Sequence, residues 1–183
     1  VEQTALSVNN YLDSMRDKLS FIADTVSECD SAYEFEDEIS VITRMQKDIY
    51  AATVYDIDGN IISCTGGDKK IKETVYKNLS FDKELFANAD GFALSSPHVQ
   101  SLFEGEYPWV VTIAAKTDNP VFGGGVYVAI DFEFSEIAKY IDNVGIGGHG
   151  YCFITDSGGN IIYHPQQQLI FSGLKTENTE LVK

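Results

Sequence analysis

The feature that most constrains this chain is a stretch it carries twice. Residues Tyr50 to Ser63 read Y-A-A-T-V-Y-D-I-D-G-N-I-I-S, and Tyr151 to His164 read Y-C-F-I-T-D-S-G-G-N-I-I-Y-H. Asp56, Gly59, Asn60, Ile61 and Ile62 align without a gap with Asp156, Gly159, Asn160, Ile161 and Ile162. Each copy sets an apolar run rich in β-branched and aromatic residues before a polar turn ending in Gly-Asn, and a second apolar run after it. Glycine tolerates positive φ in such a turn, and Asp and Asn bond to their own backbone, so each copy predicts a β-hairpin. Two hairpins, each opening a sheet, predict two related modules in tandem, the second only begun when the sequence stops.

Ahead of the first hairpin the apolar residues fall at Val1, Ala5, Val8, Leu12, Met15, Leu19, Ile22, Val26 and Cys29. The spacing alternates four and three, the heptad pattern of a helix with one long apolar stripe. At 1.5 Å per residue it would be about 45 Å long. Leu6, Tyr11, Phe21 and Ala23 widen that face beyond a bare seam, which predicts packing on the sheet near the helix end and a homodimer seam near its start. A second helix should run from about Ser31 to Lys47, capped by Asp30 or Ser31, with Phe35, Ile39, Ile42 and Met45 on one face.

After the hairpin Ile49–Thr65, residues 71–88 read as two short helical pieces carrying Val75, Leu79, Leu85 and Phe86. Three strand-like runs follow, Phe92 to Ser95, Trp109 to Lys116 and Gly125 to Phe132, the last two apolar on both faces as central strands are. A turn at 117–124 joins them. A helix from Glu133 to Asn143 then leads to a glycine-rich joint at 145–150. The expected fold is α+β: a long N-terminal helix packed on a five-stranded antiparallel sheet, plus the start of a second module. The expected divisions are 1–49, 50–133, 134–150 and 151–183.

A formal net charge of −15 argues against nucleic acid and anionic membrane surfaces, which attract basic patches. No run approaches the roughly 20 apolar residues of a membrane helix, and no signal peptide is present. Opening in helix and stopping in mid-pattern, the stretch reads as a soluble piece of a longer protein. Cys29, Cys64 and Cys152 form no C-x-x-C pair; buried small hydrophobes are the simplest reading, with one disulfide open if the domain is extracellular. Asp56 to Asn60 lacks the ligands of a calcium loop, and His149 and His164 are not spaced with carboxylates as a metal site needs. With no nucleophile elbow, zinc-protease, phosphate-loop or dinucleotide motif, the segment reads as non-enzymatic, without metal or cofactor.

The order of elements, with G-x-G-Y-x-F-I-x-D-x-x-G-x-I-I-Y-H-P at Gly148 to Pro165, resembles the double Cache (tandem PAS-like, PDC) sensor domains of bacterial membrane receptors. The resemblance covers essentially the whole chain. It implies stalk helices at 1–49, a membrane-distal PAS-like ligand-binding module at 50–133, a connecting helix and joint at 134–150, and the opening of a membrane-proximal module at 151–183. The run His164 to Asn178 resembles extracytoplasmic sensor histidine kinases in particular, while chemoreceptors and diguanylate cyclases carry the same fold.

In amino-acid-binding members a D-R-x-W-Y-x-x-A pattern supplies an Arg for the ligand carboxylate, and a later Asp holds the amine. The matching stretch here is Asp82 to Ala89, with Lys83 where Arg is expected, Leu85 where Trp is and Phe86 where Tyr is. Asp131 matches the amine-binding Asp. The family's P-Y-x-D element reads Pro97-His98-Val99-Gln100. Lys lacks the planar fork of Arg, so the resemblance argues against a free α-amino acid. His98, Gln100, Tyr107 and Trp109 add rings and hydrogen-bonding groups suited to a small polar ligand, although Trp109 also reads as core.

The expected function is extracellular sensing of a small polar molecule by a dimeric transmembrane receptor, with membrane spans outside this segment and a histidine kinase as output. A ligand-free dimerisation or interaction relay is the alternative from another class, and a chemoreceptor or diguanylate cyclase the alternative output.

Overall fold

The computed structural model describes residues 2–75, 91–142, 153–155 and 161–164. Within them the chain forms α1 (Glu2–Glu28), α2 (Ala32–Met45), β1 (Ile49–Tyr55), β2 (Ile61–Thr65), β3 (Phe92–Leu94), β4 (His98–Val99), β5 (Trp109–Asn119), β6 (Gly124–Glu133), α3 (Phe134–Asp142), β7 (Ile154–Thr155) and β8 (Ile161–Tyr163). Of the helical pieces expected over 71–88, residues 76–88 lie outside the described residues, as do the glycine-rich joint, Cys152, Lys83 and Phe86, while Ile71 makes a single antiparallel bridge with Phe103.

Local chemistry sets the helix ends. Ser31, in extended conformation, accepts the Glu34 amide on its hydroxyl at 3.1 Å, and the Glu34 carboxylate accepts the Asp30 amide at 2.6 Å. Those two bonds start α2, the first capping it at Ser31 and the second tying Glu34 back to the residue before the cap. Phe35, Ile39 and Thr43 are the residues α2 buries, whereas Met45, expected inward, is 78% exposed. At about 100° per residue Thr43 and Met45 flank the Phe35–Ile39–Ile42 stripe on opposite sides. The helix is rolled towards Thr43, whose hydroxyl donates to the Ile39 and Ser40 carbonyls at 3.2 and 3.0 Å and so enters the core satisfied.

The sheet runs β2-β1-β6-β5-β3, with β4 also paired to β5, and every pairing is antiparallel. It thus has six strands where the sequence pattern predicts five. The addition, β4, is two residues long, too short to show any periodicity. β5 also extends past Lys116 to Asn119, so the reversal into β6 takes only a 3-10 turn at Pro120–Phe122 and Gly123, whose φ is +92°.

Each face of the sheet carries its own core. On one, Met15, Leu19, Ile22 and Val26 of α1 and Phe35 and Ile39 of α2 pack on Ala52, Val54, Val111, Ile113, Val128, Ile130 and Phe132. The long stripe of α1 is therefore spent on the sheet from Leu12 onward. Burying each such aliphatic side chain contributes about 1.5–3 kcal/mol. On the other face Tyr50, Ala51, Tyr55, Cys64, Val110, Ala114 and Ala129 meet Val75, Leu102 and Phe103 from the connecting segments. Cys29 and Cys64 are buried free thiols, pushed up by burial to pKa values of about 11 and about 12.

α1 ends without a basic residue in its last turn. Instead Asn119, 1% exposed, donates from Nδ2 to the Val26 and Cys29 carbonyls at 2.6 and 2.8 Å, while its Oδ1 accepts the Val121 amide at 2.7 Å. One side chain satisfies helix-end carbonyls and fixes the β5–β6 turn. Asn119→Ala leaves those buried carbonyls unpaired and should cost roughly 2–3 kcal/mol, read as a lower urea midpoint at unchanged slope.

The repeated motif forms a hairpin in both places. β1 and β2 flank the Asp56 turn, in which Asp56 Oδ1 accepts the Asp58 and Asn60 amides and Oδ2 the Asn60 side chain. Slight burial raises the Asp56 pKa, but these bonds outweigh it and hold the carboxyl below its usual range. Turn chemistry thus occupies both oxygens. β7 pairs with β8, and Tyr163 of β8 is buried in the α1-side core, its ring 6.4 Å from that of Phe134 in α3. No described helix is long and apolar enough to cross a membrane.

Candidate functional site

Strand alternation puts Thr112 and Asp131 on the sheet face away from α1, in one cross-strand row with Ala51. The next row along, Ala93, Ala114, Ala129 and Thr53, is made only of small residues. Together they give a shallow floor with one carboxylate at its end. Tyr50, Tyr55 and Phe103 rise around it from β1 and the 100–108 segment.

Asp131 is 4% exposed. No Lys or Arg pairs with it among the described residues. Gln100 Nε2 donates to Oδ2 at 2.7 Å, and the Thr112 hydroxyl makes a short bond to Oδ1. Gln100 is itself oriented, since its Oε1 accepts the Ser101 amide at 2.8 Å and its own amide donates to the Pro108 carbonyl at 2.9 Å. β4 makes this possible. Its pairing of His98 with Val110 and Val99 with Trp109 carries residues 98–100 onto β5. His98 then sits with Nε2 at 3.4 Å from the Thr112 hydroxyl and Nδ1 at 3.1 Å from the Ser96 carbonyl. Ser95 closes the set, its hydroxyl accepting the Thr112 amide at 2.8 Å.

Burial is the largest influence on the Asp131 carboxyl and pushes its pKa up; the Thr112 bond, the His98 charge and the Gln100 bond pull it back without cancelling that rise. A buried carboxylate held by neutral donors is costly to keep ionised, and an added cation would relieve it.

The structure thus gathers three of the residues singled out in the sequence, Asp131, His98 and Gln100. Trp109 goes elsewhere: it shares strand parity with Val111 and Ile113 and packs against the α1-side core, on the face opposite Asp131. Tyr107 is 63% exposed, with the Lys72 ammonium 4.2 Å over its ring. It lines a surface cleft of about 290 Å³ with Tyr50, Lys69, Glu106 and Glu133, and makes no contact with the Asp131 cluster in the hydrogen-bond network above. Lys83 and Phe86 lie outside the described residues. Sequence reasoning misses Thr112 and Ser95. The available signal was a lone hydroxyl in the otherwise apolar run V-V-T-I-A-A, where a strand buried on both faces must give it a partner.

The Cache domain family matches residues 1–180, nearly the whole chain. The chain belongs to the Cache domain family. Among solved structures, the ligand-binding domain of the Pseudomonas fluorescens chemoreceptor CtaA in complex with L-serine superposes on this Cache domain with a TM-score of 0.72. The match is at 18% identity over 94% of this chain and 72% of that one. The ligand-binding domain of the Pseudomonas aeruginosa PAO1 amino-acid chemoreceptor PctB in complex with L-Arg gives 0.70, at 19% identity over 94% and 71%. At these identities the likeness is one of fold, helices on an antiparallel sheet. Among curated proteins, the methyl-accepting chemotaxis protein PscA of Pseudomonas syringae pv. tomato is 24% identical over 87 residues, 48% of this Cache domain and 13% of that protein.

Proposed function

We propose that this Cache domain is the extracytoplasmic ligand-sensing part of a transmembrane receptor, and that it binds a small polar molecule through a cationic amine held at Asp131. The observation that carries the reading is the buried Asp131 carboxylate, set at the edge of a small-residue floor and surrounded by oriented neutral donors. The CtaA and PctB domains hold L-serine and L-Arg, both of which bear an amine. Lys83 in place of the family's Arg still argues that the other end of the ligand differs from an α-amino acid's.

The structure offers a route for the signal. β6, which carries Asp131, passes without a break into α3, and Tyr140 of α3 stacks on Tyr11 of α1 at 4.7 Å. The Glu133 amide donates to the Asp48 carbonyl at 2.9 Å, and Lys18 of α1 pairs with the Asp48 carboxylate at 2.6 Å. The end of β6 is thereby tied to α1 twice. A ligand shifts these helices only by binding one of their arrangements better than another.

In this reading the chain dimerises through the first turns of α1, where Leu6 is exposed, and the second hairpin opens a membrane-proximal module. The chemotaxis relatives favour a chemoreceptor output, and the run His164 to Asn178 keeps a sensor histidine kinase as the second reading. The domain that follows in the full-length receptor decides between them. For the site, the test is a thermal-shift screen of primary amines on wild-type protein and Asp131→Asn. A response common to both variants, or none to any amine, would overturn the proposal.

A further inference from the structure

We propose that Tyr50 is a second ligand-contacting residue of the site at Asp131, and that its hydroxyl selects an amine bearing a nearby hydrogen-bond acceptor, such as an amino alcohol, over a plain alkylamine. The inference rests on the reading of Asp131 as the residue that holds the amine.

The backbone makes a local exception to place this side chain. The β1–β6 register slips between Ile49 and Ala51, leaving Tyr50 as the extra residue of a bulge. Ile49 belongs to the α1-side core, while Tyr50 and Ala51 both belong to the opposite one. Regular alternation would have separated them. Bulges of this kind re-aim a side chain at the expense of a ladder position, and here the re-aimed group is a phenol beside the residue that pairs with Asp131.

The ring is then held still. Phe103 meets it edge-on at 5.3 Å and 70°, and the Lys69 ammonium lies 4.8 Å over it. Lys69 is fixed in turn by the Tyr50 and Gly66 carbonyls at 3.2 and 3.3 Å. Yet the hydroxyl these contacts position is buried, in a residue 4% exposed, and makes no hydrogen bond of full geometry among the described residues. The Glu106 carboxylate acts on the hydroxyl both through its charge and as a weak hydrogen-bond acceptor, and Asp131 through its charge, but neither meets it in full hydrogen-bond geometry. Phenylalanine would fill the same space without stranding an oxygen, so packing does not account for the hydroxyl. Burial first, then Glu106 and Asp131, raise its pKa and keep it protonated, which makes it a donor. An amine seated on Asp131 brings its neighbouring atoms towards this donor, and an acceptor among them completes the bond.

Ethanolamine and propylamine, matched in size and differing in one oxygen, are titrated calorimetrically into wild-type protein, Tyr50→Phe and Asp131→Asn, with a ligand-free melt of each. Wild-type protein should prefer ethanolamine roughly 3- to 10-fold, the value of one neutral hydrogen bond. The preference should vanish in Tyr50→Phe, which should melt without ligand at or above the wild-type temperature. Asp131→Asn should bind neither amine. A preference that survives in Tyr50→Phe, or a ligand-free Tyr50→Phe melting several degrees lower, overturns the role of Tyr50 alone; the second result would mean that the hydroxyl has a structural partner. Undiminished binding in Asp131→Asn overturns the Asp131 reading instead. Wild-type protein that binds neither amine overturns both.

Discussion

Asp131→Asn is expected to remove the ligand-induced rise in melting temperature while leaving the unliganded protein at least as stable as wild type. The two halves of the result have one cause. A ligand at a hundred times its Kd adds about 2.7 kcal/mol, which for a domain of this size is roughly 5–10 °C. An uncharged amide gives an ammonium no counter-charge, so that increment should disappear. Without ligand the same change removes a buried charge. The substituted side chain still fits its partners: Gln100 is locked as a donor and takes the oxygen of the new amide, whereas the Thr112 hydroxyl can rotate to accept from its nitrogen. The pH dependence has a definite sign. The folded-state pKa of Asp131 is raised, so the penalty of ionising it is absent below the unfolded carboxyl pKa of about 3.9 and fully present above the raised folded value. The stability gap between Asp131→Asn and wild type should therefore close as pH falls towards 4 and open as it rises. Denaturant melts of both proteins at several pH values measure it. A gap of constant size would mean that Asp131 is not ionising in a buried site.

How much of this was legible in the sequence varies with the physics at each position. The Asp-x-x-Gly-Asn turn is readable because its hydrogen bonds are local: Asp56 bonds residues two and four places on, and no tertiary information enters. The α1 stripe is readable because a single face is buried over many turns. Trp109 is not, because β5 is apolar on both faces and alternation then cannot say which residues look towards which layer. β4 is not, because two residues show no period. The bulge at Tyr50 is not, because it is a property of pairing with β6, far away in sequence. Asp131 stands out at the end of V-Y-V-A-I mainly through the family resemblance, while its placement beside Gln100, Thr112 and His98 follows from β4, β5 and β6 meeting. Local chemistry can be read from one segment; a site made by three strands cannot.

The other large effect is expected at Gly66, and it is steric. A Cβ built there would lie 2.6 Å from Phe103 Cε2 and 3.0 Å from Cε1, and closer still to Cζ. Phe103 has no room to yield. It is fully buried, and the segments around it run side by side, with the Lys72 amide donating to the Leu102 carbonyl at 3.0 Å and the Glu104 amide to the Lys70 carbonyl at 2.9 Å. Its ring also supports Tyr50. Gly66→Ala should then cost roughly 2–4 kcal/mol, a fall of about 5–15 °C in melting temperature. Because the cause is one contact, the effect should be strongly non-additive. Phe103→Leu alone opens space and should cost about 1–2 kcal/mol, yet in the Gly66→Ala background it should restore stability, giving a coupling energy above about 1 kcal/mol. Gly67, next in sequence, is the control. Its φ of +72° makes it a backbone glycine, and the nearest atom to an added Cβ is the movable Arg44 Cγ at 2.8 Å. Gly67→Ala should cost about 1 kcal/mol, and Phe103→Leu should not relieve it. Equal, additive losses at both glycines would show that Gly66 is needed for its backbone rather than for the space it leaves to Phe103.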